Sequence, residues 1–281
     1  MLALPARVFL DTHIVIDAAA GHVNREEWER ACCYLKQACR YCVSALTVTE
    51  LIWALSNSSG QHFRTHQDRF RALLKPNSQP DVLDFIPYFT AQELRLPKER
   101  PAHLEDDFLN TIKLILAAPS KDALTNGFEH HELPNTTVKI RLDRFSKEFE
   151  TNRSLYARHL ESPRQASCEP VPPAQWTAAL LRLYGLEADG DVLRDMFERL
   201  SAMYEFEMSV RGLLRNPNFK LERNLSDIVD GQQLAYLCDR EVVFITNDSD
   251  FRSRVKTSPQ RSRILLFRDL MLRVNEMRPL L

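Results

Sequence analysis

Glycine is scarce in this chain, seven in 281 residues. Neither GxGxxG nor GxxxxGK[ST] occurs, which argues against a classical dinucleotide fold and a P-loop, since both need glycines where the backbone closes on phosphate. No GxSxG stands for the nucleophile elbow of an α/β-hydrolase. No apolar run approaches the ~18–20 residues of a membrane span. The stretch Met1 to Leu10 has no basic leader before its short apolar run, so it is not expected to be a signal peptide. Neither charge is in excess: 37 basic against 38 acidic residues give a net charge of −1. The six cysteines show no spacing of a secreted disulfide framework, which implies a reducing compartment and a cytoplasmic location. Cys39 and Cys42 form a lone CxxC with Cys32 and Cys33 upstream, and without a second pair they are expected to be packing residues. His62 and His66 have the i, i+4 spacing of a helical metal pair but no HExxH context, and a solvated helix face is expected there.

What is present is an ordinary globular composition, 44% hydrophobic and 27% charged, enough for one large or two modest domains. The two ends read as α/β. Residues 7–10 form a buried strand, 24–40 a helix opened by Asn24, and 41–44 a second strand before a helix from Leu46 to Asn57. Near the other end, Ser226 or Asp227 caps a helix reaching about Arg240, followed by strands at Val242–Thr246 and Ile264–Phe267. Strands alternating with helices imply a doubly wound parallel sheet. Between Ser58 and Arg223 the texture changes to amphipathic segments near 62–74, 103–118, 136–160, 174–184 and 191–214, broken by turns such as Cys168 to Pro173. The expected organisation is therefore one discontinuous α/β domain, 1–58 with 224–281, and an all-helical insertion, 59–223.

Four acids sit where such a sheet would deliver them. Asp11 closes Val8-Phe9-Leu10, Glu50 follows the second strand, Asp230 lies in the helix before the Val242–Thr246 strand, and Asp248 follows that strand. Ligands of open parallel sheets bind beyond the carboxyl ends of the strands, toward which Asp11 and Asp248 would project. Two carboxylates 4 Å apart repel by roughly 4 kcal/mol at an effective dielectric near 20, so a converging set implies bound cations.

These residues resemble the motifs of the PIN domain, a metal-dependent nuclease fold of many toxin and RNA-processing endoribonucleases. Val8-Phe9-Leu10-Asp11-Thr12 is similar to its first motif, with His13 where a small polar residue is common. Glu50, in a helix after the second strand, stands as the second acid; Asp230, with Leu234 and Ala235 beyond it, as the third; and Thr246-Asn247-Asp248-Ser249-Asp250-Phe251 carries the fourth motif. Asp227, one helical turn before Asp230, competes for the third position, and Asp230 has the better spacing. The resemblance covers the ends only.

It implies Mg²⁺ or Mn²⁺ held by Asp11, Asp230 and Asp248, with Glu50 as ligand to a second metal or as the base orienting water, and Asp250 one layer out. Such ions prefer carboxylates, keep several waters, and serve phosphodiester hydrolysis by activating water and clamping charge. The implied activity is endoribonuclease cleavage of single-stranded RNA. The alternatives are a nuclease for DNA flaps or single strands and an inactive scaffold that binds RNA or protein. An inhibitor or antitoxin protein and a second copy of the chain are the candidate partners, and no membrane partner is expected. From Arg252 to Leu281 eight basic residues face two acidic ones, and Arg252, Arg254 and Lys256, adjacent to Asp248, are the candidate phosphate contacts. Lys139, Arg141, Arg144 and Lys147, with acids between them, are expected to be solvated.

Overall fold

The computed structural model of the chain describes residues 6–99, 104–128, 138–161, 171–187, 190–214 and 226–276. In chain order the elements begin with β1 (Arg7–Leu10), α1 (Thr12–Ala20), α2 (Arg25–Ala38), β2 (Arg40–Ser44), α3 (Ala45–Asn57), α4 (Phe63–Leu74) and β3 (Asp81–Leu83). Then come α5 (Ile86–Glu93), α6 (Leu104–Ala117), α7 (Lys121–Asn126), α8 (Val138–Glu161), α9 (Pro173–Tyr184), α10 (Gly190–Arg199) and α11 (Ser201–Leu214). The chain continues through α12 (Ser226–Gln233), β4 (Val242–Thr246), α13 (Ser249–Arg254), β5 (Ile264–Leu266) and α14 (Phe267–Glu276). The fold is α/β with a five-stranded, all-parallel sheet in the order β3-β2-β1-β4-β5, compatible with a doubly wound arrangement. Among the described residues, no helix is long and apolar enough to cross a membrane.

The chain divides into two compact units, Met1–Leu83 with Pro101–Glu150 and Phe267–Leu281, and Asp84–Arg100 with Thr151–Leu266. In the first, β1, β2 and β3 run in parallel register, Val8 beside Tyr41 and Val43 beside Val82. Their side chains are buried almost throughout, as expected of parallel strands covered on both faces. Helix α2 starts where the sequence implies, because the Asn24 side chain accepts the amide hydrogens of Glu26 (2.9 Å) and Glu27 (3.3 Å). Trp28 of α2 meets Phe267 of α14 at 6.2 Å between rings, and Phe108 of α6 stacks on Phe145 of α8 at 4.6 Å. Two long-range side chains close helix ends whose carbonyls would otherwise be orphans. Buried Gln67 donates to the oxygens of Ile115 and Ala118, and Lys121 donates to those of Ser56 and Ser58.

In the second unit β4 pairs with β5, Ile245 beside Leu265, and all five β4 residues are buried. The ring of Phe251 on α13 lies 5.1 Å from both Phe244 of β4 and Phe206 of α11. The Arg263 guanidinium donates to the backbone oxygens of Leu237, Asp239 and Val242, which fixes the turn leading into β4.

Two sequence expectations need correction here. The stretch 59–223 is not all helical, because Asp81–Leu83 pairs with β2 as an edge strand. The helix expected over 191–214 is broken at Leu200. There the Gln260 side chain accepts the amide hydrogen of Ala202 at 2.7 Å and donates to the oxygen of Glu198 at 3.0 Å, taking over bonds of the helical ladder. The expected turn at Cys168 to Pro173 lies partly outside the described residues.

Candidate functional site

The first unit brings Asp11 and Glu50 together. Asp11 directly follows β1 and is fully buried; its carboxylate accepts the amide hydrogen of His13 at 3.3 Å and so caps α1. Ser44, which closes β2, caps α3 by accepting from the Thr47 amide at 3.0 Å, and its own hydroxyl meets that of Thr47 at 2.9 Å. The Thr12 hydroxyl donates to the same Thr47 oxygen at 3.2 Å. Glu50 lies one helical turn beyond Thr47, which turns it toward the end of β1.

Glu50 as a residue is only partly buried, yet its Oε2 is shut off from solvent and has no hydrogen-bond partner among the described residues. Burial pushes its pKa from 4.5 up to about 7. The neighbouring Thr12 hydroxyl works against that rise, the Asp11 charge adds to it, and His13 and Arg69 oppose it. A carboxylate oxygen buried without a donor costs several kcal/mol if ionised, unless a cation or a proton meets it. That oxygen, beside a second buried carboxylate, suits a hard cation, for which one or two carboxylates, waters and substrate phosphate are sufficient ligands.

The second unit holds the other acids. Asp230 is buried on α12, beside Gly231. A Cβ at Gly231 would come within 2.9 Å of the Tyr156 hydroxyl and 3.2 Å of the Phe206 ring, so glycine is what lets this helix lie against α8 and α11. The side chain of Asp227, the rival third acid, lies outside the described residues. Asp248 caps α13, accepting from the Asp250 amide at 2.7 Å, while its own amide donates to the Thr246 hydroxyl at 3.0 Å. Asp250 is exposed and stands 3.8 Å from Arg254. Among the described residues, no three His, Cys, Asp or Glu side chains gather closely enough to hold a metal ion.

The candidate phosphate contacts differ in freedom. Arg254 pairs with Asp250 and lies over the Phe206 ring at 5.1 Å, Arg252 is half-buried, and Lys256 is exposed. Arg278 lies outside the described residues. His66 is not on a solvated face: it is buried, and burial together with the Arg69 charge lowers its pKa to about 4. Cys32 and Cys42 are buried free thiols, pushed up to about 12 and about 11 by burial, as suits packing residues.

Among the buried acids that sequence reasoning missed are Asp84 and Glu207. Asp84 follows β3 much as Asp11 follows β1, and its carboxylate accepts the Phe85 amide at 2.8 Å. Glu207 of α11 is buried in a ring of donors: Tyr156 at 2.5 Å, Trp176 at 2.7 Å, His159 at 3.2 Å, and Arg211 at 3.8 Å. Burial would raise the Glu207 pKa, but the His159 and tyrosine bonds outweigh it and the net shift is downward. With its oxygens occupied on every side, Glu207 ties α8, α9 and α11 together. The one signal in the sequence was an acid inside the apolar run of α11.

Comparison of the chain with protein-family models, with curated proteins and with solved structures found no match.

Proposed function

We propose that the protein is a divalent-metal-dependent nuclease of PIN-like doubly wound fold that cleaves single-stranded RNA. The observation that carries this reading is the pair Asp11 and Glu50 at the end of β1, two acids of which one has a buried oxygen with no donor. Ligands of open parallel sheets bind beyond the carboxyl ends of the strands, and Asp11 directly follows β1. The resemblance would assign Mg²⁺ or Mn²⁺ to Asp11, Glu50, Asp230 and Asp248, and of these the first unit brings together Asp11 and Glu50.

A bound ion of this class lowers the pKa of water and neutralises charge on the attacked phosphate. The protein's own contribution is orientation. The His13 amide and the Thr12–Thr47–Ser44 hydroxyl chain hold Asp11 and the start of α3 in place before any ligand arrives. Pre-set carboxylates avoid the reorganisation that loosely held ones would undergo at the moment of reaction. Asp250 would lie one layer further out from the ion. Lys256, with Arg252 and Arg254, would contact backbone phosphate.

The test is incubation of the full chain with labelled single-stranded RNA and, in parallel, single-stranded DNA, under Mg²⁺, Mn²⁺ or EDTA. Cleavage of RNA that needs the metal, and that Asp11→Asn removes, is the expected result. Cleavage of DNA alone would move the substrate class, and binding without cleavage under either metal would leave a nucleic-acid-binding scaffold.

A further inference from the structure

The second unit contains a cleft of about 620 Å³ lined by α10, α11 and the segment 254–259. That size is in the range of small-ligand sites, which combine an apolar wall with a few placed polar groups. Its apolar wall is aromatic. Phe197 and Tyr204, both only partly buried, stand with ring centres 5.1 Å apart at 73°. Behind them the fully buried Trp176 touches both, at 6.4 and 5.3 Å, so the pair is braced from the core side. The Tyr204 hydroxyl is anchored on the Val171 oxygen at 2.9 Å. Arg254 and Lys256 line the same cleft.

The charges there are not equivalent. Arg254 is committed to Asp250 and to the Phe206 ring. Lys256 is exposed, and its ammonium has no partner among the described residues. Its backbone is fixed, because the Lys256 and Thr257 amides and the Thr257 hydroxyl all donate to the Glu205 carboxylate. Burial alone would raise the Glu205 pKa, yet these bonds bring it below the ordinary value. These bonds keep Glu205 ionised and fix its negative charge toward the 256–257 backbone, so the cation left for an arriving anion is the Lys256 ammonium. The cleft thus combines aromatic rings with one cation that is unpaired among the described residues.

We propose that this cleft seats one unpaired nucleobase of a single-stranded nucleic acid against Phe197 and Tyr204, with the adjoining phosphate at Lys256. The substrate class rests on the nuclease reading, and the seat itself rests on the cleft. Base-on-aromatic stacking joined to a nearby cation is how single strands are held without sequence readout. An apolar peptide side chain would fill the wall but leave the ammonium without a counter-charge. A lone phosphate would have no use for the rings.

The experiment measures binding, in EDTA so that nothing is cleaved, by fluorescence anisotropy of labelled RNA and DNA twelve-mers on the full chain. Each oligonucleotide is compared with an abasic version of the same length. Phe197→Leu keeps the apolar volume and removes the ring, and should weaken binding of the base-bearing strands about tenfold while leaving the abasic ones unchanged. Lys256→Gln should weaken both kinds and reduce the salt slope by about one. If Phe197→Leu lowers the melting midpoint by several degrees, Phe197→Tyr, which keeps the ring, has to retain wild-type binding. Equal loss on base-bearing and abasic strands, or no loss on either, overturns the seat. So does an apolar fluorescent probe that binds in the cleft and is not displaced by the oligonucleotide, which would assign the cleft to a peptide side chain. Metal-dependent cleavage is read separately: cleavage with no difference between Phe197→Leu and wild type rejects the seat alone, whereas absence of both binding and cleavage rejects the nuclease reading.

Discussion

The hydroxyls of Thr12 and Thr47 meet at 3.2 Å, joining the residue after Asp11 to the residue one turn before Glu50. Thr47 takes a second hydroxyl, from Ser44 at 2.9 Å, and donates its amide back to Ser44 at 3.0 Å. The starts of α1 and α3 are therefore linked through one buried side chain, and the two acids of the first unit are placed by helix geometry, which holds a side chain more rigidly than a loop does.

Thr47→Val keeps the shape and removes that oxygen. It leaves the buried Thr12 and Ser44 hydroxyls without their shared partner, for a cost of about 1–3 kcal/mol. Urea unfolding should show a lower midpoint with an unchanged slope, and calorimetry should show weaker Mn²⁺ binding. Weaker Mn²⁺ binding without any loss of stability would mean that Thr47 acts on the ion and not on the placement of α1 and α3.

Glu50→Gln tests the buried oxygen. Folding raises the Glu50 pKa from 4.5 to about 7, so between those values the folded protein keeps a proton that the unfolded chain releases. This group's contribution is fully present below pH 4.5, falls as pH climbs toward 7 by up to about 1.4 kcal/mol per unit, and levels off above. In EDTA, the Gln variant should match wild type near pH 4.5 and melt higher at pH 7.5, with a smaller pH dependence between. Identical melting at pH 7.5 would show that Glu50 is not under strain in the metal-free protein.

The sheet was legible in the sequence wherever strands ran four or five apolar residues between good helix signals, as at Val8–Leu10 and Val242–Thr246. Asn24, Ser44 and Asp248 occupy cap positions as their residue types suggest. Strand β3 was not legible, because Asp81-Val82-Leu83 is too short to show any period, and Asp84 was missed along with it. The break at Leu200 was invisible for another reason: nothing local disfavours helix there, and the side chain responsible comes from Gln260, far along the chain. The candidate acids Asp11, Glu50, Asp230 and Asp248 stand out in sequence by their neighbours, and of these the fold brings Asp11 and Glu50 together. Glu207 does not stand out, since its donors come from three helices and no spacing announces them.

Gln260→Ala should remove the side chain that satisfies the broken ladder between α10 and α11. The Ala202 amide is buried and would lose its acceptor, and the Glu198 oxygen would lose a donor. A loss of about 1–3 kcal/mol is expected from the orphaned groups. Hydrogen exchange read by mass spectrometry should show faster exchange around 198–204, with little change in α3. Protection at 198–204 equal to wild type would mean that the break is held by packing alone.

Asp248 combines a structural and a proposed chemical role, and the two separate by substitution. Its carboxylate accepts the Asp250 amide at 2.7 Å to cap α13, a task asparagine performs about as well. Asp248→Asn should therefore keep the wild-type melting midpoint within a degree or two, or raise it slightly, since one negative charge is gone. Metal-dependent cleavage should nevertheless disappear, because an amide oxygen is a far poorer ligand to a hard cation than a carboxylate. Asp248→Ala should lose the cap as well, at about 1 kcal/mol, so its melting midpoint falls alongside activity. If Asp248→Asn cleaves like wild type while Asp248→Ala is merely less stable, then Asp248 is a helix cap and no metal ligand. The acids of the metal site would then be sought among Asp11, Glu50 and Asp230.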